Sequence, residues 1–184
     1  MLELTKYQTV SNSAHILYVF NDEHKYIDNL VAYTKGGIDR GHHILLIEDY
    51  LTYQKVEKRI KSLFPLKKME NLHYIDNLMF YNYYGDFNIE NIVHHFSEVL
   101  TPILKNNITV RTWARVIWRD DNGILKKIVD FENRANYSVN EMELMSVCSY
   151  SVEDVSASLQ TSMMRSHEYL MTDDEFVRSS LYNK

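Results

Sequence analysis

One cysteine, Cys148, is all that the chain offers to disulfide chemistry, so no internal bridge can form and a reducing compartment is expected. With only two prolines and five glycines in 184 residues there is little material for long irregular linkers. No apolar run approaches the ~20 residues that cross a bilayer, so no membrane span is expected. The first residues, Met1-Leu2-Glu3-Leu4-Thr5-Lys6, carry neither the basic stretch nor the apolar stretch of a signal peptide, and a cytoplasmic location follows as the expectation. Positive charge is also scarce. A net charge of −5 with no basic block argues against a nucleic-acid partner. Glycine is missing at one telling place as well. The apolar run His15–Phe20 breaks at Asn21-Asp22 and passes into a helical pattern, where a nucleotide enzyme would put a glycine-rich phosphate loop; here the turn reads Phe20-Asn21-Asp22-Glu23-His24. No G-x-x-x-x-G-K-[ST] occurs elsewhere, so neither tight ATP binding nor hydrolysis is expected.

What is present alternates regularly. Short β-branched or aromatic runs, Ala14–Phe20, His43–Glu48, Leu72–Ile75, Ile108–Trp118 and Leu144–Tyr150, read as strands. Between them Glu23–Ile38, Thr52–Phe64, Ile89–Leu104 and Ile124–Tyr137 carry apolar residues at spacings of three and four and read as helices. A last helix is expected from about Val152 to Tyr169. The tail, Thr172–Lys184, opens with Thr172-Asp173-Asp174-Glu175, the form of a capping box, and reads as a separate short helix. Strands separated by helices pair in parallel through right-handed crossovers. The fold class is therefore α/β: one doubly wound domain over 1–184, with a mostly parallel sheet of about five to six strands and helices on both faces. Such sheets bind ligands off the carboxyl ends of their strands, an edge that here carries Asn21-Asp22, Glu48-Asp49, Asp76-Asn77, Arg119-Asp120 and Tyr150-Ser151.

Each chemical motif has a plainer reading beside it. Gly36-Gly37 and Gly41 most simply end a helix and turn the chain. Asp76 stands where a magnesium-binding acid would sit in a P-loop ATPase, which means little without the loop. The pairs His42-His43 and His94-His95 point their neighbours in different directions on a helix or a strand, so neither pair chelates one ion, and no metal is expected. Tyr81-Asn82-Tyr83-Tyr84 suits a partly buried loop in a chain with 14 tyrosines. Cys148 on an apolar strand reads as inert core unless a histidine lies beside it. Glu132 and Asn136, one helical turn apart, share a face whose border is set by Ile128 and Phe131.

The segments VRTWARVIW, IVDFENRAN, LMSVCSYS and LQTSMMRSHEYLM, in that order, resemble the MEDS sensory domain, the methanogen/methylotroph DcmR-type sensor family. The opening HILYVFNDEHKYIDNLVAYTKGGIDRGHHILLIED is similar to that family's first strand, helix and second strand, and the likeness runs from about Ala14 to Tyr182. The resemblance implies a non-catalytic relative of RecA/KaiC-type ATPases without a phosphate loop and without a cofactor. It also implies a sensor of small hydrocarbon derivatives. The matching positions, and so the implied ligand-binding residues, are His15, Arg111, Trp118, Glu132, Asn136, Cys148, Tyr150 and His167. Ala114-Arg115 departs from the family, which often has Gly and an acid there, and puts a base at the implied pocket edge. Members commonly carry an output module, and 184 residues hold only the sensor. A regulatory partner in trans, a kinase or transcription regulator, is therefore expected, and a homo-oligomer is compatible with the sequence. The alternative is a ligand-free interaction module, such as an inhibitor of a sporulation-type sensor histidine kinase or of an anti-sigma pathway. An enzyme using Cys148 with His15 or His167 would need thiol and imidazole about 3–3.5 Å apart. Because Cys148 and Tyr150 lie two apart on one strand they share a face, and an Arg111–Glu132 pair beside them is the expected anchor for a ligand head group.

Overall fold

The computed structural model describes residues 13–82, 87–104, 108–118 and 123–182. Arg119-Asp120, Tyr83 and Tyr84 lie outside the described residues. Among the described residues seven strands form one sheet in the order β3-β2-β4-β5-β1-β6-β7. They are β1 Ala14–Phe20, β2 His43–Glu48, β3 Leu72–Asp76, β4 Val110–Arg115, β5 Met145–Ser151, β6 Tyr169–Met171 and β7 Phe176–Arg178. All neighbours pair in parallel except β6 with β7. The helices are α1 Glu23–Asp39, α2 Tyr50–Leu63, α3 Leu66–Met69, α4 Asn77–Tyr81, α5 Ile89–Leu104, α6 Ile124–Glu141 and α7 Ala157–Met163.

The sheet divides the core in two, because alternate residues of each strand face opposite ways. On one face α1 and α2 lie over Ile16, Tyr18, Ile44, Leu46, Trp113 and Val147. On the other, α4, α5, α6 and α7 cover Leu17, Leu45, Ile47, Ala114, Cys148 and Tyr150. The parallel strands are buried on both sides, which is why Ile44-Leu45-Leu46-Ile47 runs apolar without alternation. Helix α1 continues through Gly36 and Gly37 to Asp39 rather than ending on them. A Cβ at Gly37 would stand 2.2 Å from Ile44 Cδ1, so this glycine sets how closely α1 lies on β2, and Gly41 (φ +75°) makes the turn.

Acids at the strand ends serve as local caps. Asp22, Asp49 and Asp76 cap α1, α2 and α4, accepting backbone N–H bonds from His24 (2.8 Å), Leu51 (3.0 Å) and Met79 (3.1 Å). Asp76 is thus a helix cap, and nothing about it requires magnesium.

The C-terminal region departs from expectation. A helix over Val152–Tyr169 is replaced by a 3-10 turn at Val152–Asp154, the short α7, and a turn at Met164–Ser166 that leads into β6. Serines break it: Ser151 accepts from Glu153 N and Ser156 from Leu159 N, so each starts a new turn. The tail is a hairpin and not a helix. Thr172 Oγ1 does accept from Glu175 N at 3.1 Å, as a capping box requires, but Thr172 N donates to Glu175 O at 2.9 Å and closes the turn between β6 and β7. The open edge of β1 decides the outcome, since pairing with β6 satisfies its backbone groups and a helix would leave them bare. Tyr169 and Phe176 stack across the hairpin with centroids 5.0 Å apart.

Asp173, at the hairpin turn, accepts hydrogen bonds from Tyr18 Oη (2.8 Å), Asn21 N (3.0 Å) and Asp22 N (3.0 Å). Asp173→Ala removes the acceptor shared by these donors, of which the Asn21 and Asp22 amides are open to water and the Tyr18 hydroxyl is not, and urea unfolding should show a loss of about 1–2 kcal/mol at an unchanged m-value.

Candidate functional site

Five of the residues singled out from the sequence meet beneath the sheet. His15 comes from β1, Cys148 and Tyr150 from β5, Glu132 from α6, and His167 from the segment after α7. All are buried, Glu132 and His167 with no exposed surface at all. Tyr150 donates its hydroxyl to Glu132 Oε1. Glu132 Oε2 lies 3.3 Å from His167 Nε2 and 3.6 Å from His15 Nε2. The two imidazoles stack with centroids 3.9 Å apart, and His15 Nε2 is 3.4 Å from Cys148 Sγ. Backbone carbonyls hold the far side of each ring: Ser166 O is 2.9 Å from His15 Nδ1, and Met163 O is 2.8 Å from His167 Nδ1.

The electrostatics follow from burial and from Glu132. Burial, with His167 beside it, pushes the His15 imidazole down to about 3, so it is neutral at ordinary pH. Burial also opposes charge on Glu132, but His167, His15 and the Tyr150 hydroxyl outweigh it and hold the carboxyl below its usual range. The Cys148 thiol and the Tyr150 phenol are both raised well above their ordinary values, by burial first and by Glu132 second. The Cys148–His15 distance meets what a thiol nucleophile needs, yet a buried thiol held protonated is a poor one.

Beside the cluster lies a cavity of about 30 Å³, lined by Ile47, Phe80, Tyr81, Ile92, Val93, Phe96, Ala114, Phe131, Ala135, Ser138, Val139, Ser146 and Cys148. Its wall is almost wholly apolar, and Cys148 belongs to both cavity and cluster. Cys148 apart, these lining residues were missed from sequence as site residues. The apolar stripe of α5, with Ile89, Ile92, Val93 and Phe96 at i, i+3, i+4 and i+7, was legible, but that ordinary core pattern does not mark a cavity.

The remaining expected residues fall elsewhere. Asn136 lies beside His15 at the margin of the cluster and accepts from Asn140 and Tyr182. Trp118 lies beyond the end of β4, and its ring packs 5.8 Å from that of Tyr150. Arg111 is on the opposite face of the sheet, where its Nε donates to His42 Nδ1 at 2.9 Å, so the expected Arg111–Glu132 pair does not form. The cause is parity: Arg111 pairs with Met145 and shares the α1 face with Trp113 and Val147, whereas Cys148 and Tyr150 face the other way. Arg115 has the same parity as Arg111 and is not at the cavity edge; Ala114 is. His42 and His43 go separate ways, His43 to His73 at 2.8 Å, and His94 to Glu98 at 3.5 Å.

At the carboxyl edge of the sheet the described amides of the β1–α1 turn are engaged by the protein's own carboxylates. Backbone N–H groups of the β1–α1 turn donate to carboxylates: Asn21 and Asp22 to Asp173, His24 and Lys25 to Asp22. The Arg115 guanidinium lies 4.8 Å from the Phe20 ring centroid and pairs with Glu23 at 2.8 Å. Beneath it Glu48, with no exposed surface, accepts from the Tyr26 hydroxyl and from Asp49 N at 2.9 Å, while Trp113 Nε1 donates to Tyr26 Oη at 2.9 Å.

A family model described as MEDS, MEthanogen/methylotroph, DcmR Sensory domain, matches residues 14–168. No curated protein matches the chain. Among solved structures it is similar to a KaiC-like protein from the hyperthermophilic archaeon Pyrococcus horikoshii OT3, at 12% identity and TM-score 0.55 over 88% of this chain and 71% of that one. A solved ATPase domain matches at 9% identity and TM-score 0.57 over 87% and 69%. The flagellar accessory protein FlaH of Methanocaldococcus jannaschii matches at 12% and 0.55 over 92% and 76%. At these identities the likeness shows a shared RecA/KaiC-like fold. No described helix is long and apolar enough to cross a membrane.

Burial raises the Glu48 carboxyl to about 8. A carboxyl raised on folding stabilises fully below its unfolded value, near 4.5, and that contribution is lost as pH climbs through the folded value. Stability of the wild type should therefore fall between about pH 4.5 and 8 relative to Glu48→Gln, by up to a few kcal/mol at ~1.4 kcal/mol per unit. Parallel urea curves for the two proteins across this range check it.

Proposed function

The chain belongs to the MEDS, or methanogen/methylotroph DcmR sensory domain, family, and from that premise we propose that it detects a small, largely apolar molecule in the cavity beside Cys148 and passes the signal to a regulatory protein in trans. The observation that carries this reading is the cavity itself. It is apolar, about 30 Å³, and walled on one side by Cys148, which joins it to the buried polar cluster. Space of this size takes a molecule of very few heavy atoms, in keeping with the small hydrocarbon derivatives that the family resemblance implies. An occupant would press on Cys148, Phe131 and Ala135, and so on α6 and the position of Glu132. A packed sheet and helix respond to such pressure by shifting as units rather than by yielding locally.

The same reading makes the protein a non-enzyme. The amides that would cradle phosphates are taken by Asp22 and Asp173, and Glu23 adds a further carboxylate at the same turn. The β1–α1 turn lacks the glycines and the following lysine of a phosphate loop. Magnesium-dependent ATP turnover that disappears on changing Asp22 or Glu23 would contradict this.

The direct test uses xenon and one- to three-carbon alcohols and halides as probes, followed by methyl NMR. Shifts confined to Ala114, Ala135, Ile47 and Ile92 are the expected result. Ala114→Leu, which fills the space, should remove them while costing about 1–3 kcal/mol through overpacking. Unperturbed methyl spectra with every probe would favour the ligand-free interaction module instead.

A further inference from the structure

The polar cluster contains a proton shortage that its geometry makes explicit. Ser166 O and Met163 O can only accept, so His15 Nδ1 and His167 Nδ1 carry the ring hydrogens at 2.9 and 2.8 Å. With both rings neutral, each Nε2 then presents a lone pair. Both face Glu132 Oε2, at 3.6 and 3.3 Å, so three acceptors converge. His167 Nε2 and Glu132 Oε2 have no hydrogen-bond partner, although both are shut off from solvent. The Cys148 thiol, 3.4 Å from His15 Nε2, is the only proton that these four groups bring to the centre. Buried acceptors left facing one another cost free energy, which a cation between them would recover.

We propose that His15, Glu132, Cys148 and His167 bind one borderline-soft divalent metal ion, zinc being the best fit, through two Nε2 atoms, a carboxylate oxygen and a thiolate. The four donor atoms lie within 4.8 Å of one another. A tetrahedral ion with bonds of about 2.0–2.3 Å separates its ligand atoms by roughly 3.3–3.8 Å. The contacts here, 3.3, 3.4 and 3.6 Å, fall in that interval before any adjustment. Sulfur and imidazole ligands exclude magnesium and calcium, which take oxygen. Charge also balances. On binding, the thiol releases its proton to solvent, and thiolate plus carboxylate neutralise the ion, leaving a neutral assembly where no water can solvate a charge. The Tyr150 hydroxyl on Oε1 and the two carbonyls on the Nδ1 atoms form the outer layer that orients ligands in protein metal sites. Four protein ligands close the site, so the ion holds the structure and does not activate water. The ligand farthest along the chain, His167, leads into β6 and Asp173, so the ion would fasten the C-terminal hairpin to β1, β5 and α6.

The full-length protein, stripped with a chelator, is titrated with Zn²⁺ and separately with Co²⁺. One ion per chain is expected, with a thiolate-to-Co²⁺ charge-transfer band in the Co²⁺ form. Cys148→Ser should abolish the band, and Glu132→Gln should weaken Zn²⁺ binding by more than ~100-fold, while Tyr150→Phe weakens it by about 10-fold. Far-UV circular dichroism reports whether each variant folds. Should both ligand variants unfold, the band and the stoichiometry of the wild type still decide. Absence of binding by the folded wild type, or Co²⁺ bound without the charge-transfer band, overturns the site and leaves a hydrogen-bonded network only. Xenon shifts at Ala114 in the metal-free protein test the cavity separately, so either reading can fail alone.

Discussion

A single carboxylate, that of Glu132, is the constraint on which the arrangement of this protein turns. Taking an ionised carboxylate wholly out of water costs several kcal/mol unless its oxygens are engaged. Tyr150 engages one, and the two imidazoles face the other. Those partners come from β1, β5 and the segment after α7, so the buried charge can be accommodated only when all three elements and α6 are in place together. A residue that would be ruinous alone becomes a test of correct assembly.

The consequence reaches the far end of β1. With His167 placed over Glu132, the chain leaves α7 through a turn at Met164–Ser166 and enters the sheet as β6 beside β1. The hairpin that follows delivers Asp173 to the β1–α1 turn, where it binds the amides of Asn21 and Asp22. In a fold shared with KaiC-like and ATPase-domain structures, these turn amides are thereby bonded to the protein's own carboxylate. The apolar cavity lies on the other side of β4 and β5, under α4, α5 and α6, where Cys148 touches both that cavity and the charged cluster. One strand thus links a nonpolar volume to a set of titratable groups, an arrangement suited to turning occupancy into a change in electrostatics.

The α1 face is organised in the opposite way. There several polar groups are linked in short chains: Trp113 to Tyr26, Tyr26 to Glu48, Tyr33 to the carbonyls of Thr112 and Met145. Arg111 and Arg115 sit on this face with aromatic rings against them. Strand parity keeps the two basic residues of β4 on this face, where they contribute to packing and to the strand edge rather than to the cluster.

Local pattern determined a good deal. Apolar runs between helical segments located β1, β2 and α5 to the residue and β3, β5, α1, α2 and α6 to within a few, because each depends on the periodicity of its own side chains. The family resemblance also singled out His15, Glu132, Cys148, Tyr150 and His167 before any of them could be seen to touch. Tertiary structure decided the rest. Whether Thr172-Asp173-Asp174-Glu175 starts a helix or turns a hairpin depends on the unpaired edge of β1, which lies some 150 residues away in the chain. The face that Arg111 takes depends on one residue of register between β4 and β5, and a slip of one exchanges the two faces of the sheet. The meeting of His15 with His167 spans nearly the whole chain, and no spacing encodes it. Short-range order follows from the residues that make it, whereas a site built from four elements exists only once the sheet has closed around it.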